Sequence, residues 1–514
     1  LQQSEYAIFS SKQTQNKMAN LKSLAKDTAI YGLSSIAARF INYLLVPIQT
    51  AKFNAAGGQY GIITNVYAYV ALLIVLLTYG METTFFRFMS KEGEDPDKVY
   101  ATTLKMVGAT SLLFMAVVLL FNQPLAALLG YADHPEYIMI MYVTVAIDAF
   151  AAIPFAYLRC KHRPIKFAML KMLNITFNIV LNLLYLVVLP YFKLNPFGIY
   201  DANFTLDVVW VFYINFFCTV ATLLLLWKEL SGIRHSFDMG TCKRMLGYTF
   251  PLLIMGLAGQ LNQCASQIIF PYAFDGTAEE ARTQLGIYGA CIKIAMIMVM
   301  ITQAFRYAYE PFVFGKSKDR DNKDTYAKAM KFYIIFTLLA FLAVVGYMDV
   351  LRYVVGRSYW DGLEIVPIVM AAEIMFGIFF NLSFWYKLTD RTIWGAYFSG
   401  IGAVVLIVMN ILLIPHFSYW ACAWAGFVSY AVSMVVSYYF GQKYYPIAYP
   451  LKEILFYVVV ALVLFAAITA SNKYLPTLLA LAANTALILV FLAIIVKRDF
   501  PLSKLPVIGK RFKK

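Results

Sequence analysis

The residues able to do chemistry here are charges embedded in apolar sequence. Arg39, Lys293 and Arg306 lie within or at the edge of long hydrophobic stretches, and Asp148 and Glu373 lie inside two others. Arg39 has Ser35 at i−4 and Asn42 at i+3, so the three share a helical face. A lone arginine at the middle of a membrane helix costs about 2.5–3.5 kcal/mol even on the lenient insertion scale. It must face a polar cavity or a partner. Pairing with Asp148 to hold two helices together is one explanation, and lining a polar path is the other and the stronger. Three embedded cations against few acids suit an anionic ligand. Arginine binds phosphate in bidentate fashion and lysine acts as a point charge.

Other polar residues fall at helical spacing. Gly256, Gln260, Gln263 and Gln267 form a stripe at i, i+4, i+7 and i+11, and Gln263 follows Arg39 by 224 residues. Asn174, Asn178 and Asn182 form a second stripe, with Lys171 one position short of another turn before it. That stripe reads equally as a ligand face or as interhelical hydrogen bonding. Glu82 and Arg87 flank the end of one apolar stretch, as a gate or an interfacial ion pair. Arg306 ends another, with Glu310 one turn on. Asp148 and Glu373 suit proton relay or gating. His134, His162, His235 and His416 show no ligand spacing, the six cysteines form no Cys-x-x-Cys, and there is no Walker A motif. The expectation is a transporter that is not an enzyme and needs no metal or cofactor.

Helices must hold these groups. With 61% hydrophobic and 14% charged residues and a mean hydropathy of +0.67, a soluble chain of 514 residues could not cover its apolar surface. About 20 apolar residues cross the hydrocarbon core. Fourteen spans are expected, near 28–50, 61–83, 102–122, 137–157, 168–190, 208–228, 246–270, 286–307, 329–348, 365–386, 393–414, 419–440, 453–471 and 476–496. The loops on one side hold 32 Lys and Arg residues against 6 on the other. The positive-inside rule therefore puts both termini in the cytoplasm. The net charge of +15 is then a matter of topology and of anionic phospholipid, with no nucleic-acid partner. Residues 1–26 are polar, and no cleavable signal peptide is read there. Met18 opens a stretch that reads as a natural start.

The two halves look related. Asp148 and Glu373 are 225 residues apart; Arg159 and Lys387, Arg163 and Arg391, and Asn182 and Asn410 are each 228 apart. Gln59-Tyr60-Gly61-Ile62 matches Gln284-Leu285-Gly286-Ile287. Ordered matches imply two parallel six-span repeats about a pseudo-twofold along the membrane normal. The expected organisation is a polar N-terminus at 1–26, an N-lobe at 27–240, a C-lobe at 241–445, a helix pair at 446–498 and a basic tail at 499–514.

Four segments carry a resemblance. They are Ala38-Arg39-Phe40-Ile41-Asn42 with Pro47 and Gln59-Tyr60-Gly61; Gly80-Met81-Glu82 through Phe86-Arg87-Phe88; Leu158-Arg159-Cys160-Lys161-His162-Arg163-Pro164; and Asn410-Ile411-Leu412-Leu413-Ile414-Pro415. Together they make the chain similar to polysaccharide-transport flippases, the Wzx-type O-antigen branch of the multidrug/oligosaccharidyl-lipid/polysaccharide exporter superfamily. The last segment continues as Phe417-Ser418-Tyr419-Trp420-Ala421, where related proteins usually carry glycines. The resemblance implies an all-α bacterial inner-membrane protein of two six-helix lobes around a cationic cavity. It would move undecaprenyl-diphosphate-linked oligosaccharide outward for lipopolysaccharide O-antigen synthesis, coupled to a cation gradient of protons or sodium. Arg39, Asn42, Asn178, Gln260, Gln263, Lys293 and Arg306 are then the expected substrate contacts. Asp148, Glu373, Glu82, Arg87 and Glu310 are the expected coupling and gating groups. A drug/cation antiporter of the same superfamily is the alternative. A membrane glycosyltransferase or O-antigen polymerase would need a large periplasmic or catalytic loop, and the sequence offers none.

Overall fold

The computed structural model describes residues 37, 40, 41, 43–201, 203–315, 323–389 and 391–499, with backbone alone at 197 and 307–315. The expected contacts Arg39 and Asn42, and the side chain of Glu310, lie outside the described residues. Everything regular among the described residues is helical. That follows from the solvent: hydrocarbon offers backbone groups no partner, so each span must satisfy its own.

Eleven described helices are long and apolar enough to cross a membrane, or twelve with the bent pair Val209–Leu225 and Trp227–Arg234. They correspond to expected spans 2–6 and 8–14. Span 7 is the 35-residue helix Met239–Ala273, long enough to cross but weakened in apolarity by Gln260, Asn262, Gln263 and Gln267. The described end of span 1 is Leu45–Lys52.

Local chemistry sets the ends. Asp95 caps span 3, Pro96–Leu120, by accepting from the Asp97 and Lys98 amides at 3.0 and 3.5 Å, with Pro96 in the first turn. Span 4, Pro135–Cys160, turns into span 5, Pro164–Leu183, through a six-to-one bond from the Arg163 amide to the Leu158 carbonyl at 3.0 Å. His162 takes the left-handed position at φ 51°. Span 2 breaks: Gln59–Thr78 ends at Tyr79 and Gly80, with φ 35° and 73°, and a new helix runs Met81–Met89. A side chain on Gly80 would also meet Leu252 Cβ at 2.8 Å, so glycine is required on two counts. Span 5 passes through a π-turn at Leu184–Val188, where Pro190 removes a backbone donor.

Two compact units divide the chain inside helices. One takes residues up to Leu45 with Val70–Gly256, and the other takes Val46–Tyr69 with Leu257 onward. In the first, Met81, Phe85, Tyr100 and Leu104 pack with Met245 of span 7, and Thr84 and Thr249 share a hydroxyl hydrogen bond. In the second, residues 46–69 pack on later helices. The Asn65 amide donates to the Gln267 carbonyl at 2.7 Å, and the Gly356 amide to Thr50 Oγ1 at 2.9 Å. The Gln-x-Gly-Ile motifs meet here: a Cβ on Gly61 would lie 1.8 Å from the Arg282 carbonyl oxygen, and one on Gly286 would lie 3.0 Å from the Gly61 nitrogen.

Spans 13 and 14, Leu451–Tyr474 and Thr477–Arg498, are fastened to span 9, Lys323–Gly346. At one end Lys331 pairs with both Glu453 and Asp499, and Tyr457 donates to Asp499. At the other, Asn484 donates to the Gly346 carbonyl at 2.9 Å and to Asn472 at 2.6 Å.

Candidate functional site

The first unit brings together a line of alternating charges. Asp148, Phe155 and Arg159 occupy one face of span 4 at i, i+7 and i+11. Thr219 of span 6 donates to Asp148 at 3.2 Å. Lys171 of span 5 stands with its ammonium 4.2 Å from the Phe155 ring centre and within electrostatic range of Asp148, Glu82 and Arg159. Arg159 bonds Glu82 at 2.6 Å and covers the Phe86 ring at 4.6 Å. The break at Tyr79-Gly80 is what puts Glu82 in the first turn of a new helix, where Arg159 can reach it. Asp148 and Lys171 are mid-span yet exposed. A charge within a span is costly against lipid, so a polar surrounding is the lower-energy one for both.

Asp148 accepts from Thr219 and lies within electrostatic range of Lys171, with no ion pair between the two; the pairing with Arg39 lies outside the described residues. Glu82 turns to Arg159, while Arg87 lies over the Tyr248 ring at 4.1 Å. In the asparagine stripe of span 5, Asn174 bonds across to span 6, donating to the Cys218 carbonyl at 3.1 Å and to Thr222 at 2.8 Å. Asn182 donates to the Asn178 side chain at 3.2 Å.

In the second unit, Lys293 of span 8 is partly exposed and has no hydrogen-bond or ion-pair partner among the described residues. Glu373 of span 10 is also partly exposed, within electrostatic range of Tyr288, Tyr333 and Tyr430 from spans 8, 9 and 12. Two of those hydroxyls are already placed, Tyr333 on Thr302 at 2.9 Å and Tyr430 on the Asn262 carbonyl at 3.3 Å. Gln263 is exposed and Gln260 partly so. Arg306 rests its guanidinium 4.0 Å over the Phe380 ring. Among the described residues no three His, Cys, Asp or Glu side chains gather to hold a metal ion.

Three participants escaped the sequence reading. Arg159 reads as a loop cation for topology, yet it reaches back to Glu82. Lys171 reads as the tail of the asparagine stripe. The signal was available: spans 4 and 5 form a tight hairpin, with Asp148 about 18 Å and Lys171 about 10 Å along the helices from its turn, close enough for a lysine stem to bridge. Asn262 gave no signal. It lies off the glutamine face and donates to the Ala258 and Ser399 carbonyls at 3.0 and 2.8 Å.

The fold is similar to that of the lipid II flippase MurJ in an inward closed conformation, at TM-score 0.69 and 14% identity over 91% of this chain and 98% of that one. It is also similar to an inward-facing multidrug resistance MATE transporter of the MOP superfamily, at TM-score 0.62 and 15% identity over 78% and 93%. MATE in complex with MaD3S aligns at TM-score 0.56 and 13% identity over 82% and 95%. No curated protein sequence matches the chain significantly. The profile described as polysaccharide biosynthesis protein matches residues 24–311, more than half of the sequence. With that match over more than half of an all-helical chain that has eleven or twelve candidate membrane spans among its described residues, this multi-pass membrane protein belongs to the polysaccharide biosynthesis protein family.

Proposed function

We propose that this protein is a flippase that carries undecaprenyl-diphosphate-linked oligosaccharide across the bacterial inner membrane by alternating access, without covalent change to its cargo. The observation that carries this is Lys293, a mid-span ammonium, partly open, with no counter-ion among the described residues. An uncompensated charge at that depth is costly and is relieved by an anion that arrives and leaves. A lipid-linked diphosphate brings such an anion, and Arg39 with Lys293 is its proposed contact. The fold shared with a lipid II flippase supports a lipid-linked cargo. The basic loops face the cytoplasm in this reading, with both termini there. Asp148 and Glu373 bind the coupling cation, a proton or sodium.

The reading is tested by binding of lipid-linked diphosphate to purified protein. Removing one charged contact to phosphate costs about 1.5–3 kcal/mol, so Arg39→Ala and Lys293→Ala each weaken binding about 10- to 100-fold. Arg39→Lys recovers part of it, because bidentate geometry is lost. Binding as tight as the parent's in both alanine variants refutes the contact. Glu373, open and without a described hydrogen bond, favours one second reading, a drug/cation antiporter. That reading wins if a cationic drug is displaced by protons at Glu373 and the diphosphate does not bind.

A further inference from the structure

The first unit holds an apolar groove of 560 Å³ between spans 2, 3 and the first half of span 7. Its walls include Leu76, Met106, Cys242, Leu246, Phe250 and Leu253. The polar groups along it are Tyr79, Thr110 and Thr249, and the Tyr79 hydroxyl is set against Thr110. Thr110 donates to the Met106 and Val107 carbonyls, at 3.2 and 3.0 Å, and Thr249 is paired with Thr84. Nothing in the wall asks for water, so the groove suits hydrocarbon. Of its walls, Leu76, Leu246 and Phe250 are exposed at 46–64%, the exposure that apolar side chains on membrane-spanning helices keep where they meet lipid. From Cys242 to Leu253 it runs about 16 Å along the helix, roughly half of the ~30 Å hydrocarbon core. That is the depth of one leaflet.

Two lysines adjoin the wall in sequence: Lys105 immediately precedes Met106 on span 3, and Lys243 lies one turn before Leu246 and is exposed on span 7. The acids nearby are occupied: Glu94 is held by Arg244 at 2.9 and 3.0 Å, and Asp238 accepts from the Gly240 amide at 2.9 Å and from Thr241 at 2.6 Å. Lys105 spends one donor on the His235 carbonyl at 2.8 Å. Lys243 has no described partner. A single-leaflet apolar slot beside two lysines that have no carboxylate partner among the described residues has the complement of a phospholipid: one acyl chain and an anionic phosphate.

We propose that this groove is a binding site for an anionic phospholipid of the leaflet beside the basic loops, its acyl chain lying along Leu246–Leu253 and its phosphate between Lys105 and Lys243. None of the groove's lining residues is among the proposed cargo contacts. The length match to one leaflet selects an acyl chain over a longer polyprenyl chain.

The test uses full-length protein in phosphatidylcholine nanodiscs doped with phosphatidylglycerol bearing a mid-chain diazirine, against the same probe on phosphatidylcholine. After photolysis, peptides carrying 242–253 and 106–110 are labelled several-fold more by the anionic probe. Each Lys neutralised, as Lys105→Gln or Lys243→Gln, lowers that preference about fivefold. Leu253→Trp fills the slot and lowers labelling of those peptides, while labelling on the exposed face of spans 13 and 14 stays constant and reports intact fold. Lys243→Gln, an exposed change, keeps the test decisive if Leu253→Trp does not fold. Equal labelling by both probes overturns the proposal, as does labelling indifferent to the lysines. Displacement of the probe by polyprenyl phosphate but not by unlabelled phosphatidylglycerol also overturns it, because the occupant is then the polyprenyl chain.

Discussion

Lys171 and Asp148 should be energetically coupled, and the size of the coupling can be worked out. Removing one of them strands the other mid-span, at about 2.5–3.5 kcal/mol on the insertion scale. Both side chains are exposed, and screening there reduces that cost. Lys171→Met keeps the stem against Phe155 and strands Asp148, which retains Thr219; a cost of about 2 kcal/mol is expected. Asp148→Asn keeps an acceptor for Thr219 and strands Lys171 beside Arg159, at about 1–2 kcal/mol. The double variant strands neither, so it should cost about as much as the milder single change. The interaction energy is then about 1.5–2 kcal/mol, far outside the few tenths expected of independent sites. Unfolding in detergent across the four proteins measures it. A double variant whose loss equals the sum of the singles would refute the pairing. It would leave Lys171 as a charge addressed to Glu82 and Arg159 alone.

Glu373→Gln should abolish gradient-dependent transport while protein levels hold; unchanged gradient dependence in proteoliposomes rules out a coupling role. Reporter fusions after Lys193 and after Arg498 should report opposite compartments, and the same compartment at both overturns the orientation. Lys331→Met strands Glu453 and Asp499 together and should cost about 3–5 kcal/mol at this mostly buried cluster. It should open the loop before Leu451 to protease, and an unchanged melting temperature would show that the clamp is not what fastens spans 13 and 14.

Much of the fold was legible because hydrocarbon leaves a chain few choices. Spans 2–6 and 8–14 fall on helices where apolar length puts them, since that signal is local. The site was legible only as far as one helix reaches. Asp148 stood out because an acid is conspicuous in Ala-Ile-Asp-Ala-Phe, but its partners come from other helices. The glutamine face of span 7 was plain from spacing, whereas Asn262 does its bonding from the next face round. The Glu82–Arg159 pair depended on the left-handed step at Tyr79-Gly80. Gly80 hints at such a step, but nothing in the sequence says which way the chain then points.

The packing of residues 46–69 on later helices sets a schedule for biogenesis. Gly61 meets Arg282 and Gly286, which leave the ribosome about 220 residues afterwards. At 5–20 residues per second that is roughly 10–45 s of synthesis. For that interval the first half of span 2 sits in or beside the insertion machinery with a surface cut for a neighbour that does not yet exist. The first compact unit is likewise incomplete until the beginning of span 7 has been made. A ribosome stalled between spans 6 and 7 therefore displays no finished half. A split gene cut at that loop should yield two fragments that are each stable only in the other's presence.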